Sequence, residues 1–254
     1  MTTEIFAISN QKGGVGKTTT AINLSAALAE TGAKVLAVDF DPQGNLSSGL
    51  GIGKNDFEAG VYEMLMGEAS FDNIVKKTET ENLLVLPSDM DLSGAEIELL
   101  EVPEREKTLK KYLDTVKEDF DFILIDCPPS LSLLTINALT AADTVLVPLQ
   151  CEYYALEGLV QVMNTIDLVK KRLNPNLEME GVVFTMYDAR NNLSQQVVDN
   201  VRASLNRNIY NTVIPRNVRL AEAPSYGMPV ISYDPKSTGA ESYRALAAEV
   251  LARK

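Results

Sequence analysis

The sequence predicts an α/β fold, a three-layer sandwich in which helices cover both faces of a mostly parallel, doubly wound sheet. Short and nearly continuous apolar runs alternate with longer helical segments along the chain. Such runs are typical of parallel strands that are buried on both faces. No linker rich in Ser, Gly or Pro divides the 254 residues, so we expect one domain over residues 1–254.

The elements follow in the order that βαβ units require. Strands are predicted at residues 5–9, 34–39, 83–86, 122–126, 144–148, 180–185 and 210–214. Helices are predicted at residues 18–31, 109–118, 133–142, 156–173, 195–206 and 241–252. Residues 51–77 have a weaker period, which predicts an irregular insertion of short helices.

The composition excludes several classes of protein. No run of 18 apolar residues predicts a membrane span, and the first residues lack the basic and apolar regions of a signal peptide. The two cysteines, Cys127 and Cys151, are too few for a disulfide framework, and their spacing fits neither a zinc site nor an iron–sulfur cluster. We therefore expect a reduced, cytoplasmic chain without a membrane partner.

The charge is negative overall but uneven. A net charge of −12 argues against a surface that coats nucleic acid broadly. Residues 168–220 nevertheless contain eight basic and four acidic side chains. The basic ones are Lys170, Lys171, Arg172, Arg190, Arg202, Arg207, Arg216 and Arg219. A local basic face is therefore compatible with an acidic chain.

A phosphate-binding loop follows the first predicted strand and opens the first helix. Residues 12–19 read K-G-G-V-G-K-T-T. Glycines let the backbone approach a phosphate closely, and the N–H groups at the helix start point at the anion. Lys17 is expected to reach the β and γ phosphates and Thr18 to ligate Mg²⁺. The predicted ATP-binding residues here are Lys12, Gly13, Gly14, Val15, Gly16, Lys17, Thr18 and Thr19.

The second predicted strand ends with two carboxylates. Asp39 and Asp41 begin the segment D-F-D-P-Q-G-N, at the edge where open α/β sheets bind their ligands. A carboxylate here can order an attacking water or hold hydrated Mg²⁺, and we predict that Asp41 is catalytic. The alternative is a turn that uses Asp-Pro-Gln-Gly for its shape alone.

The strand at residues 122–126 closes on a single acid. F-I-L-I-D is the pattern of a Walker B strand, in which Asp126 holds Mg²⁺ through water near Thr18. No glutamate stands in the usual position of a base beside it. We therefore expect slow ATP hydrolysis, which suits a timer better than a motor.

The loop departs from the common phosphate-binding pattern, and the departure carries a resemblance. Position 11 is Gln where the common spacing has Gly, and Lys12 adds a second lysine. This resembles the deviant Walker A motif of the ATPase family that contains ParA and Soj partition proteins, MinD and the nitrogenase iron protein. In that family the early lysine reaches the nucleotide of the partner subunit. The resemblance implies that Lys12 is catalytic in trans, with Lys12 and Gly13 at the contact of an ATP-dependent homodimer.

The resemblance runs nearly end to end and is strongest to the ParA/Soj subgroup. It implies that Pro215 and Asn217 contact adenine and that Arg190 and Arg219 contact DNA. Its cofactors would be ATP and Mg²⁺. Lys170, Lys171, Arg172 and Arg202 could add phosphate contacts, or they could form a solvated surface with scattered ion pairs.

The predicted function is an ATP-dependent switch for chromosome or plasmid segregation. The ATP-bound sandwich dimer would bind double-stranded DNA non-specifically and associate with the nucleoid, and a ParB-like centromere-binding protein would stimulate hydrolysis. Three alternatives stay open: an orphan ATPase that positions a protein cargo, a MinD-like septum-site ATPase, and a metabolic P-loop enzyme that activates a small substrate. The helix at residues 241–252 has mostly small apolar residues, which favours docking on the domain over membrane insertion.

Overall fold

The computed structural model describes residues 3–205 and 208–253, and its centre is an eight-stranded sheet. The strands are β1 (Glu4–Ile8), β2 (Val35–Asp39), β3 (Lys76–Lys77), β4 (Leu83–Leu86), β5 (Phe122–Asp126), β6 (Thr144–Gln150), β7 (Glu178–Tyr187) and β8 (Ile209–Pro215). Their order is β3-β4-β2-β5-β1-β6-β7-β8. All neighbours pair in parallel except β3 with β4. The predicted fold class is confirmed.

Helices lie on both faces of the sheet. They are α1 (Lys17–Glu30), α2 (Asn45–Gly49), α3 (Val61–Met66), α4 (Phe71–Ile74), α5 (Leu92–Glu98), α6 (Thr108–Val116), α7 (Leu133–Ala141), α8 (Ala155–Arg172), α9 (Asn192–Ser204), α10 (Val218–Glu222), α11 (Val230–Tyr233) and α12 (Thr238–Ala252). Alternate strand residues feed two hydrophobic cores. Ile5 of β1 lies in the core shared with α6 to α9, and Phe6 lies in the core shared with α1 and α12.

The elements that sequence patterns missed are all short. The strand β3 consists of Lys76 and Lys77 and pairs antiparallel with β4, within the stretch expected to hold only short helices. A strand of two residues has no measurable period, and neither have α2, α10 and α11, which have four or five residues. The helix α5 was not predicted either, and its seven residues make only about two turns. The expected short helices of the insertion are α3 and α4.

Caps explain where two helices start. The side chain of Asn191 accepts the N–H of Leu193, so α9 begins before the predicted residue 195. Ser237 likewise accepts the N–H of Ala240 and starts α12 early. The predicted end of α9 at Asn206, and the basic residue Arg207, lie outside the described residues.

The topology places the ends of β1, β2, β5 and β6 along one edge, which we call the carboxyl edge. Strand β1 lies between β5 and β6. The order of the strands therefore extends in opposite directions on the two sides of β1, and the loop that follows β1 lies at this topological switch point. Eleven residues of the helix that this loop opens are buried. A helix buried on nearly all sides is a rigid support for a binding loop.

Candidate nucleotide-binding site

The loop between β1 and α1 has the geometry of an anion cradle. Gly14 and Gly16 have φ of 73° and 88°, a left-handed conformation that favours glycine. Gly16 is the N-cap of α1 and offers no side chain to its first N–H groups. These donors and the helix dipole at the end of the helix are therefore suited to bind a phosphate.

Hydrogen bonds to the backbone of β6 and to side chains of β7 and α8 hold this loop in place. Asn10 is buried and donates to the carbonyl of Pro148 at 2.8 Å, while its Oδ1 accepts the N–H of Lys12. Gln11, the residue that departs from the common pattern, donates to Thr165. Thr185 Oγ1 donates to the carbonyl of Val15 at 2.8 Å. Thr185 was not among the predicted site residues, although its position at the end of a predicted strand is a signal.

Lys17 lies inside the cradle and is only 6% exposed. Its Nζ donates to the carbonyl of Lys12 at 3.2 Å, across the loop. Burial lowers the pKa of Lys17, and the nearby Asp126, Cys127 and Asp41 oppose that shift. An ammonium group at this position can bind a phosphate oxygen.

Asp126 ends β5 in a fully buried position. Neither of its carboxylate oxygens has a hydrogen-bond partner among the described residues. Burial, and then the charge of Asp39, raise the pKa of Asp126 well above its usual range, whereas the neighbouring Thr18 hydroxyl lowers it without reaching normal hydrogen-bond geometry. A buried, unpartnered carboxylate beside a hydroxyl fits a hydrated Mg²⁺.

This metal site is sparse in protein ligands. Among residues 3–205 and 208–253, no group of three His, Cys, Asp or Glu side chains could hold a metal ion by itself. Thr18 and Asp126 therefore fit an ion that receives most of its ligands from phosphates and water, as is usual for Mg²⁺.

Asp39 lies opposite Asp126 in the register of the neighbouring strand, but its carboxylate is engaged. Oδ2 accepts the N–H and the Oγ–H of Ser47 at 2.8 and 2.6 Å, and Oδ1 accepts the N–H of Asp41 at 3.4 Å. Burial raises the pKa of Asp39 to about 7, and the Ser47 bonds oppose this shift. Asp41 itself is 8% exposed, and its Oδ1 accepts the N–H of Gln43.

A cavity of about 240 Å³ lies beside Gly16, and the residues expected to contact adenine are part of its lining. Pro215 and Asn217 line it, and the Asn217 amide accepts from the Arg219 N–H and donates to Thr238. Other lining residues were not predicted, among them Met186, Leu220 and Tyr243. These residues come from β7, α10 and α12, which are far apart in the sequence. Their proximity in the fold could not be predicted from spacing along the chain.

Lys12 lies at the surface of the loop. Its Nζ forms an ion pair with Glu152 Oε2 at 2.8 Å, and the two side chains are 38% and 48% exposed. Gly13 is exposed, and a Cβ built on it would have Pro129 as its nearest neighbour at 3.9 Å, an ordinary contact. This part of the loop therefore has room for a larger side chain within one subunit.

The two arginines expected to contact DNA follow adjacent strands at the carboxyl edge. Arg190 comes after β7, is 90% exposed and pairs with Asp188 through two hydrogen bonds. Arg219 lies in α10 and pairs with Glu222 and Asp234. Lys170 pairs with Glu178, which agrees for that residue with the alternative of a surface ion pair.

The C-terminal helix docks on the domain. Tyr243, Leu246 and Val250 of α12 are buried in the core that α1 and β8 share. Among the described residues, no helix is both long enough and apolar enough to cross a membrane.

Most of the chain is similar to known proteins. A family model described as an AAA domain matches residues 3–179. The sporulation initiation inhibitor protein Soj of Bacillus subtilis is 59% identical over 249 residues, with 98% of each chain covered. The chromosome partitioning protein ParA of Caulobacter vibrioides is 55% identical over 252 residues, 98% of this chain and 94% of the relative.

A solved structure of cobyrinic acid a,c-diamide synthase from Mycobacterium smegmatis, with bound ATP analogue and magnesium, has a similar fold. Its TM-score is 0.87 and its identity 40%, over 98% of this chain and 94% of that one.

Proposed function

This chain belongs to the Soj/ParA family of chromosome-partitioning ATPases, and on that premise we propose that ATP switches it into a DNA-binding dimer. It is an ATPase of chromosome segregation that uses ATP and Mg²⁺. The observation that carries the proposal is the division of the loop's two lysines. Lys17 lies within the phosphate cradle, whereas Lys12 points to the surface and pairs with Glu152.

The loop residues 12–19 bind the phosphates, and the cavity beside Gly16 receives the base, with Pro215 and Asn217 against it. The Asn217 amide has hydrogen-bonding capacity left after its two bonds, so it can still contact adenine. Thr18 and Asp126 would hold a Mg²⁺ ion, which would supply neutralisation of phosphate charge when bound. Lys17 neutralises charge on the transferred phosphoryl group, and Asp41 orients the attacking water. Without a strong base, turnover is slow.

Dimer closure brings Lys12 to the nucleotide of the partner subunit. The Lys12–Glu152 pair is exposed, and surface pairs are worth only about 0–1 kcal/mol, so its release costs little. Gly13 lies at the subunit contact. A bulky residue there fits the single chain but obstructs closure, since the nearest atom within the chain is 3.9 Å from a built Cβ.

DNA binding follows dimerisation because two weak basic faces then act together. Arg190 and Arg219 are the main contacts, with Lys171, Arg172 and Arg202 as further phosphate contacts. Asp188 lies beside Arg190, and Glu222 and Asp234 lie beside Arg219. These acids and the net charge of −12 keep the single subunit off DNA. A ParB-like centromere-binding partner stimulates hydrolysis and returns subunits to the monomer, which ends association with the nucleoid.

The decisive experiment is retention of the protein on a non-specific duplex at low salt, with no nucleotide, with ADP and with ATP–Mg²⁺. We expect retention with ATP only, steeply weakened by salt and absent in Arg190→Ala and Gly13→Val. Gly13→Val should still bind ATP, which separates loss of the dimer from loss of the nucleotide site. Retention that does not depend on nucleotide would contradict the switch.

A second candidate function is activation of a small substrate by ATP, which the likeness to the Mycobacterium smegmatis synthase favours. The higher identity to Soj and ParA over the same length argues for the partition role. ATP turnover measured with and without DNA and a ParB-like partner distinguishes the two. Stimulation by both supports partition, and indifference to both supports the synthase.

A further inference from the structure

The loop that carries Asp41 is fastened at both ends to a single carboxylate. Asp39 Oδ1 accepts the N–H of Asp41 at 3.4 Å, and Oδ2 accepts both the N–H and the hydroxyl of Ser47. Asp39 and Ser47 are 0% and 2% exposed, so water does not compete for these bonds. Residues 40–46, a loop and the first two residues of α2, are therefore held at both ends by the same buried group.

The segment that follows β4 makes a further contact with this anchor. The N–H of Ser88, just after β4, donates to Ser47 Oγ at 3.1 Å. Gly44 packs against the same segment, because a Cβ on it would lie 2.6 Å from the Ser88 carbonyl oxygen, and its φ is +65°. The loop is thus fixed from inside by Asp39 and from the side by the end of β4.

We propose that Asp39 and Ser47 are positioning residues for Asp41, holding its carboxylate where it orients the attacking water. Asp41 has only one residue between it and Asp39, and its carboxylate lies close enough to Lys17 and Asp126 to interact with their charges. Catalytic geometry is sensitive to displacements of about 1 Å. Release of the loop therefore lowers turnover more than it weakens the binding of ATP. This inference rests on the proposed role of Asp41.

Two other roles for Asp39 fit less well. As a metal ligand Asp39 would have only the remaining lone-pair site of Oδ1, because it already accepts three hydrogen bonds from its own loop. A purely stabilising role is also a weak explanation. Burying a carboxylate costs more free energy than burying an apolar side chain of similar volume, which would stabilise the fold at least as well. Fixing one loop conformation gives such a group a purpose.

The test compares neighbouring serines of the same short helix. Ser47→Ala removes the buried hydroxyl, and Ser48→Ala removes the exposed one that bonds only to the carbonyl of Asn45 among the described residues. We expect kcat for ATP to fall about tenfold to a hundredfold in Ser47→Ala, with KM within about twofold. Ser48→Ala should match the wild type, and Ser47→Thr, which restores a hydroxyl, should recover most of the lost kcat.

Two additions keep the result interpretable. Ser47→Cys nearly preserves the side-chain volume but donates weakly, so its kcat should also fall if the hydroxyl matters and the cavity does not. Asp41→Ala in the same series tests the premise: unchanged turnover there would remove the proposed role of Asp41. A normal kcat in Ser47→Ala and Ser47→Cys, with turnover lost in Asp41→Ala, would overturn the positioning role alone.

Discussion

Asp39 and Asp126 occupy equivalent places and have opposite surroundings. Both end a parallel strand, both are 0% exposed, and they face each other in the register of β2 and β5. Asp39 accepts three hydrogen bonds from its own chain, whereas Asp126 accepts none from the described residues. Burying a carboxylate without a partner costs free energy. Such groups are retained at functional sites, where a bound ligand offsets that cost.

The difference assigns the two groups to different tasks. In the proposed function, Asp39 holds the loop that carries Asp41 in one conformation, and Asp126 would gain its partner from a bound cation. Sequence patterns cannot separate them, because both read as an acid at the end of an apolar strand. Variants of the pair should therefore diverge in activity, in stability and in their response to Mg²⁺.

The largest expected effect is loss of turnover in Asp126→Asn. We expect kcat to fall by about a hundredfold or more, because the side chain no longer carries the charge that holds hydrated Mg²⁺. ATP hydrolysis measured across a Mg²⁺ titration checks this, and the variant should need more Mg²⁺ than the wild type. Unchanged turnover at low Mg²⁺ would show that Asp126 does not serve the metal.

The stability of the nucleotide-free protein should move in opposite directions for the two acids. Asp39→Asn should lose about 2–3 kcal/mol of unfolding free energy, since an amide cannot accept from Ser47 and Asp41 at both ends. Asp126→Asn should gain about 1 kcal/mol, because it removes a buried carboxyl group that has no hydrogen-bond partner among the described residues and lies beside the acidic Asp39. Urea unfolding without Mg²⁺ measures both, and a loss of stability in Asp126→Asn would break the comparison.

Mg²⁺ with ATP should remove the stability advantage of Asp126→Asn over the wild type, because the ligand stabilises the wild type more than this variant. Thermal melting with ATP, with and without EDTA, tests it. A melting temperature of Asp126→Asn that rises as much with Mg²⁺ as that of the wild type would contradict the assigned role.

Gly44→Ala should disturb the Asp39 side of the pair by about 1–3 kcal/mol and lower kcat. The position combines φ of +65° with only 2.6 Å between a built Cβ and the Ser88 carbonyl oxygen. Gly32→Ala is the matched control, since φ there is +93° but nothing lies within 4 Å of its Cβ. The control should lose some stability by strain alone and keep normal turnover.

The smallest effect should come from a carboxylate that is partnered at the surface. Arg190 holds the pKa of Asp188 at about 2 through side-chain hydrogen bonds. Because that pKa is depressed in the folded state, its contribution to stability is present at neutral pH and is lost as pH falls towards 2. Arg190→Ala should therefore melt slightly below the wild type at pH 7, with the gap closing in acid. A gap that widens in acid would contradict this sign.

Much of the fold and the site follows from local pattern. The apolar runs predicted seven of the eight strands because each has enough residues to show burial on both faces. The loop at residues 12–19 was identified because glycine, lysine and threonine at that spacing have few other uses. The two-residue β3 and the short helices α2, α5, α10 and α11 were not predicted, since their position depends on contacts with distant segments.

The fold class and the family follow from residue types at fixed spacing along the chain, and the same kind of pattern predicts the phosphate loop. Which groups meet is visible only in the folded molecule: Thr185 with Val15, Lys12 with Glu152, and Ser47 with Asp39. The tertiary structure also decided that Asp39 is engaged while Asp126 is unpartnered. The physical reason is that hydrogen-bond partners of a buried group come from whichever strands and loops the topology brings within 3 Å or so, and chain spacing does not encode that.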